Sequence, residues 1–286
     1  MSDQASSLRQ ARAQSHYPPS FAFFGGEGSG VSTVVGELTA ALAMSGQRPL
    51  LVEHQPGNHQ ARRLGLPTSA SFASLAISLG GVSDLLVNNR YGLNLVNLVA
   101  SSEERTRMSP RLWRRLASEF AALEADNSVL LIDAPALTDD PAPLCIADNL
   151  VLVLSPDADS LTQGYAALKR LAGDYARRRF NVLVNRASDF DEAQAVFNRL
   201  SGVAGDYLSV ALRWVGFVPQ DSTVRKSQTL RRPTVEAFAD SEAAQACRQL
   251  AQMLPRWHAP DSTTQRASYL EHLLMTTKSL ADLTGS

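Results

Sequence analysis

The chain has 286 residues, 44% hydrophobic and 19% charged, with a formal net charge of -1. That balance excludes a chain disordered by composition and a basic nucleic-acid binder, and leaves length for one large α/β layer or about two average domains. No run of ~18 apolar residues is present to span a bilayer and the polar start from Met1 to Pro19 has no secretion-signal pattern, so a cytoplasmic protein is expected.

A polar segment over residues 1–20, closed by Pro18 and Pro19, precedes a domain expected over residues 21–256. Short apolar, β-branched or aromatic runs predict strands at Phe21 to Phe24, Leu50 to Glu53, Leu93 to Ala100, Val129 to Ala134, Leu150 to Ser155, Phe180 to Asn185 and Trp214 to Val218. Helices of 3.6-residue period fall between them at Ser32 to Met44, Ser109 to Asp126, Ser160 to Asp174, Asp189 to Leu200 and Ser241 to Leu254. Pro110 stands at the first helical position, where proline is favoured. The uninterrupted runs at Val129 to Ile132 and Leu150 to Leu154 ask for burial on both faces. The expected fold class is therefore a single α/β domain, a mostly parallel twisted sheet of about seven or eight strands with helices on both faces. Residues 257–286 form an extension in which Tyr269, Leu270, Leu273, Leu274, Leu280 and Leu283 suggest an amphipathic helix.

Cys145 and Cys247 lie far apart in apolar contexts and read as buried packing residues. The scattered histidines, including His54 and His59, lack the ligand company of a metal cage. Of 27 basic residues only Lys169, Lys226 and Lys278 are lysine, all in the C-terminal half.

The first strand runs into Gly25-Gly26-Glu27-Gly28-Ser29-Gly30-Val31-Ser32-Thr33 and then a helix. A glycine-rich turn at that place gathers backbone N–H groups beside the positive end of a helix dipole, an arrangement that holds phosphate. A βα turn without a ligand has the same composition.

This loop, the second strand, Asp133-Ala134-Pro135-Ala136 and Val184-Asn185-Arg186 together resemble the MinD/ParA group of P-loop ATPases, over roughly Phe21 to Leu254. The resemblance implies a SIMIBI-type P-loop domain with ATP and magnesium as cofactors. Gly25, Gly28 and Gly30 would cradle phosphates, Ser32 and Asp133 would hold magnesium, and Thr33 would meet the α-phosphate. Asn185 with Arg186, and Pro219 with Asp221, would lie beside adenine. A strand-end aspartate before Pro135 is equally suited to capping a turn.

The departures from the family concern charge. Its two loop lysines fall on Val31 and Gly26, and its second-strand aspartate falls on Gln55 of Glu53-His54-Gln55. Glu27 adds a carboxylate whose repulsion of a polyphosphate costs of order 1 kcal/mol. Phosphoryl transfer depends on positioning and on cations, so weak or no ATP hydrolysis is expected, and Asp133 is the only catalytic candidate.

Asp3-Gln4-Ala5-Ser6-Ser7-Leu8-Arg9 is similar to the N-terminal motif of the FlhG/FleN branch of the family, the regulators of flagellar number. That resemblance implies binding to the SRP-type GTPase FlhF and stimulation of its hydrolysis. Ala5 and Leu8 share one face of a helix, while Gln4 and Arg9 supply an amide and a guanidinium. Tyr207 to Leu212, Gly216 to Pro219, Arg231 to Pro233 and Val235 to Phe238 resemble the same branch. The expectation is a MinD-like regulator of flagellar number, placement and biosynthesis, binding FlhF and flagellar switch or transcription components. A homodimer and a polar or peripheral membrane position fit the family. Against strong lipid binding, the C-terminal helix carries Glu271 and Asp282 with only Lys278 as a definite cation. An active ATPase that dimerises on ATP and a ParA-like positioning or cellulose-secretion accessory remain as alternatives.

Overall fold

The structure is a computed structural model and describes residues 17–54, 57–68, 70, 72, 75, 80–89, 91–98, 109–134, 142–257 and 268–274. Asp3, Gln4, Ala5, Leu8 and Arg9 of the expected partner motif, and Gln55, lie outside the described residues.

The described elements run β1 (Ser20–Gly25), α1 (Val31–Met44), β2 (Pro49–Glu53), α2 (His59–Arg63), β3 (Val87–Asn88), β4 (Asn94–Asn97), α3 (Pro110–Ala125), β5 (Val129–Asp133) and α4 (Ala142–Ile146). They continue with β6 (Asn149–Leu154), α5 (Ala158–Asp174), β7 (Arg179–Ala187), α6 (Phe190–Tyr207), β8 (Ala211–Pro219), α7 (Ser222–Leu230), α8 (Thr234–Ala237) and α9 (Glu242–Met253). The strands form one eight-stranded sheet in the order β3-β4-β2-β5-β1-β6-β7-β8, parallel except where β3 meets β4.

Side chains of the central strands alternate between two cores, as the period of a strand requires. Phe21, Phe23, Leu51, Leu131, Val151 and Val153 pack with α1 and α9 on one face. Ala22, Phe24, Val52, Ile132, Leu152 and Leu154 pack with α3, α5 and α6 on the other. Burial on both faces explains why these strands are continuous apolar runs. Residues 269–274 are helical and add Tyr269, Leu270, Leu273 and Leu274 to the second core, so this part of the extension is packed on the domain.

Helix starts are written in the side chains. Ser109, Asp157, Asp189, Asp221 and Ser241 each accept a first-turn N–H of the helix they precede. α1 differs, because Gly30 precedes it in a left-handed conformation and offers no side-chain cap. The chain moves from β1 to one side of the sheet and later to the other at β6, so the loop after β1 opens at a topological switch point.

Several details differ from the sequence expectation. β3 is a two-residue antiparallel edge strand with too little sequence to show alternation. β4 stops at Asn97, β8 begins at Ala211, and α6 runs on to Tyr207. The short helices α2, α4, α7 and α8 carry no apolar period that would predict them. Cys247 is buried as expected, but Cys145 is only half-buried, a correction that follows from its place on short α4, at the margin of the core. Among the described residues no helix is long and apolar enough to cross a membrane, and no group of His, Cys, Asp or Glu side chains could by itself hold a metal ion.

Candidate functional site

The phosphate-loop candidate is built by close approach. A Cβ on Gly25 would strike the Val153 carbonyl of β6, so only glycine lets the end of β1 lie against its neighbour. Ser29 is fully buried and ties the loop to itself, its N–H and Oγ both donating to the Gly26 carbonyl at 3.1 and 2.7 Å. Gly28 and Gly30 take φ of 76° and 87°, the left-handed region that lets the loop curl into the start of α1. Asn185, at the end of β7, donates from Nδ2 to the Ser29 carbonyl at 2.9 Å, and a Cβ on Gly30 would strike that amide. The uncapped first turn of α1 leaves its N–H groups facing the cleft.

A cleft of about 1670 Å³ brings together Gly25, Gly28, Gly30, Ser32, Thr33, Asn185, Arg186 and Pro219. Arg186, at φ 61°, stands 3.7 Å from Asp157. Asp221, which the resemblance sets on the adenine side, accepts the N–H groups of Thr223 and Ala243 at 2.8 and 3.2 Å and so joins α7 to α9. Arg225 and Lys226 of α7 also line the cleft. At the two positions where the resemblance calls for lysine, Val31 presents an apolar side chain and Gly26 faces Gln163 of α5. A Cβ on Gly26 would stand 2.8 Å from Gln163 Oε1, and the same oxygen accepts the Glu27 N–H at 2.8 Å.

Behind the cleft wall, at the end of β5, Asp133 is fully buried. Its Oδ1 accepts from Ser32 Oγ at 3.1 Å and its Oδ2 from Gln60 Nε2 at 2.6 Å. Glu53, fully buried at the end of β2, accepts the Gln60 N–H and the Asn97 Nδ2 at 3.0 Å each. Burial pushes the Asp133 carboxyl up to about 6 and Glu53 adds to the rise, against the pull of the Gln60 and Ser32 hydrogen bonds and of Arg63. Arg63 of α2 lines the cleft and faces the fields of Asp133, Glu37 and Glu53, and burial lowers its own pKa. Neither Gln60 nor Arg63 was a sequence candidate; the only signal was a charged and amide-bearing stretch directly after β2.

The fold family implies ATP with magnesium. The uncapped helix start and left-handed glycines fit a phosphate group. The metal corner does not fit as disposed, because Gln60 Nε2, an N–H donor that cannot ligate a cation, stands 2.6 Å from Asp133 Oδ2.

No family model matches the chain. It is 30% identical over 240 residues to the antiactivator FleN of Pseudomonas aeruginosa, an alignment covering 82% of this chain and 86% of that one. It is 25% identical over 236 residues to an uncharacterized ATP-binding protein of Methanocaldococcus jannaschii, covering 79% and 83%. Among solved structures, the cell division ATPase MinD of Pyrococcus furiosus matches with a TM-score of 0.63 at 19% identity, covering 83% of this chain and 98% of that one. MinD of Pyrococcus horikoshii, complexed with Mg-ADP, matches with a TM-score of 0.62 at 17% identity, covering 83% and 96%. These structural likenesses establish the fold. With the extent and identity of the FleN match, the chain belongs to the FlhG/FleN branch of the MinD/ParA family.

Proposed function

We propose that this protein is a MinD-like regulator of flagellar number and biosynthesis that acts by binding partner proteins rather than by turning over ATP. The observation that supports this reading is a phosphate loop with its shape kept and its cations gone. Ser29 and Asn185 hold the loop closed. Val31 and Gly26 supply no charge, Glu27 adds a negative one, and Gln163 fills the space beside Gly26. Hydrogen bonds between charged partners contribute roughly 1.5–3 kcal/mol each, so two missing ammonium groups weaken nucleotide binding by about a hundredfold or more. ATP with magnesium, when bound, would bring its own phosphate charge and a cation to this corner. The chain's part is to present the loop N–H groups and the Ser32 hydroxyl.

Regulation by sequestration suits a relative that is an antiactivator. The proposed partners are the SRP-type GTPase FlhF, through Asp3 to Arg9, and flagellar switch or transcription components, through the folded surface. Gln4 and Arg9 would supply an amide and a guanidinium to the GTPase site, the groups that orient water and stabilise developing phosphate charge in such enzymes. Docking of residues 269–274 on the core leaves less apolar surface for lipid, in keeping with weak or no membrane association. Measuring GTP turnover by the cognate GTPase with the full chain and with a chain lacking residues 1–20 tests the proposal. Stimulation by the full chain alone is expected, and equal turnover with both would contradict it.

The Ser32–Asp133 pair favours a second reading, an ATPase that dimerises on ATP. Micromolar ATP binding abolished by Asp133→Ala would select it.

A further inference from the structure

Gln60 lies on α2, a five-residue helix, yet it is fully buried where three elements meet. Its Nε2 donates to Asp133 Oδ2 at 2.6 Å and to the Ser32 main-chain carbonyl at 2.7 Å, while its own main-chain N–H donates to Glu53 at 3.0 Å. Both side-chain partners are acceptors, so chemistry fixes the amide orientation; reversed, it would set a carbonyl oxygen against a carboxylate. The other end of the amide, Oε1, lies over Gly36 of α1, where an added Cβ would stand 2.8 Å away. α1 is therefore bare of a side chain at the one place the amide needs room. With Ser32 Oγ on the remaining Asp133 oxygen at 3.1 Å, the carboxylate is satisfied entirely by neutral donors. The side-chain amide thus joins β5 to the first turn of α1, while the main-chain N–H of the same residue fixes α2 to the end of β2.

We propose that Gln60 is an internal tether that ties Asp133 to the main chain of Ser32 and fills, with a neutral amide, the corner a divalent cation would need. It holds α2 against the phosphate loop without nucleotide. The inference rests on the reading that partner binding does not require ATP turnover, and it names the device that frees the fold from a nucleotide cycle. A metal ion entering this corner must first displace the amide.

Hydrogen–deuterium exchange on the nucleotide-free full chain tests the tether through peptides covering residues 57–66. In the wild type these peptides are protected and unchanged by manganese with a non-hydrolysable ATP analogue. In Gln60→Ala they exchange about tenfold faster or more, the scale expected for loss of a buried hydrogen-bonded link. Gly36→Ala, which crowds Oε1 and leaves Gln60 chemically intact, is expected to loosen the same peptides. Paramagnetic resonance of manganese should show little bound ion in the wild type and more in Gln60→Ala. Wild-type exchange rates in both variants, or protection and stoichiometric manganese uptake in the wild type, would overturn the proposal. Should either variant fail to fold, the wild-type manganese arm still decides. GTPase stimulation by residues 1–20 does not use this corner, so the functional reading and the tether fail separately.

Discussion

Glu37 and Glu124 are buried carboxylates on opposite faces of the sheet, and each receives the start of a helix distant in sequence. Glu37 accepts the N–H and Oγ of Thr234 at 2.8 Å each and the N–H of Val235 at 3.1 Å. Glu124 accepts Ser268 Oγ at 2.7 Å and the N–H groups of Tyr269 and Leu270 at 3.0 Å. Asp133, equally buried, is held instead by two side chains, Ser32 and Gln60. Main-chain donors cannot swing away without unwinding a helix, whereas an amide and a hydroxyl leave by rotation. The first two carboxylates therefore fasten the fold through helix backbones, and the third is held by side chains alone.

The largest effect should come from the fasteners. Glu124→Ala leaves three donors without their acceptor and is expected to lower stability by about 3 kcal/mol, read from the urea midpoint. Asp133→Ala should cost about 1 kcal/mol, because it also removes a charge that burial and Glu53 disfavour. Equal losses would break the distinction. Gly30→Ala comes next, at about 2 kcal/mol, since a side chain there meets both an unfavourable φ of 87° and the Asn185 amide.

The pH dependence is smaller and has a definite sign. Burial raises the Glu124 pKa above its ordinary 4.5 in the native state in spite of its hydrogen bonds. Folded protein therefore holds that proton more tightly than unfolded protein does. Its contribution to stability is greatest below 4.5 and is lost as pH rises through the raised value. Urea midpoints measured across that window should fall with pH in the wild type and fall less steeply in Glu124→Ala, where the raised carboxyls of Asp133 and Glu37 remain. The smallest effect on stability is expected from Val31→Lys at the half-buried loop position, within about 0.5 kcal/mol. It should nevertheless raise ATP affinity by about tenfold or more, measured by titration calorimetry.

Much of the architecture was legible because burial on both faces writes itself as apolar runs, as in Leu150 to Leu154, and because Ser109-Pro110 and Asp189 announce helix starts. The loop was legible from its glycines and its place after β1. Gln60, Arg63 and Gln163 were not, since each acts through a partner remote in sequence and none carries a local pattern. Gln163 meets Glu27 across 136 positions, and Glu124 meets Ser268 across 144. β3, with two residues, is too short for a period to exist. That Asn185 Nδ2 closes the loop onto β7 also needed the fold to show it.

Titration calorimetry of the purified full chain with ATP and magnesium, with phosphate release followed in parallel, is the most direct test of the proposal that the phosphate loop has kept its shape and lost its cations. The missing charges at Val31 and Gly26 predict no micromolar binding and no turnover above background. A micromolar Kd with hydrolysis abolished by Asp133→Ala would contradict a regulator that works by binding alone.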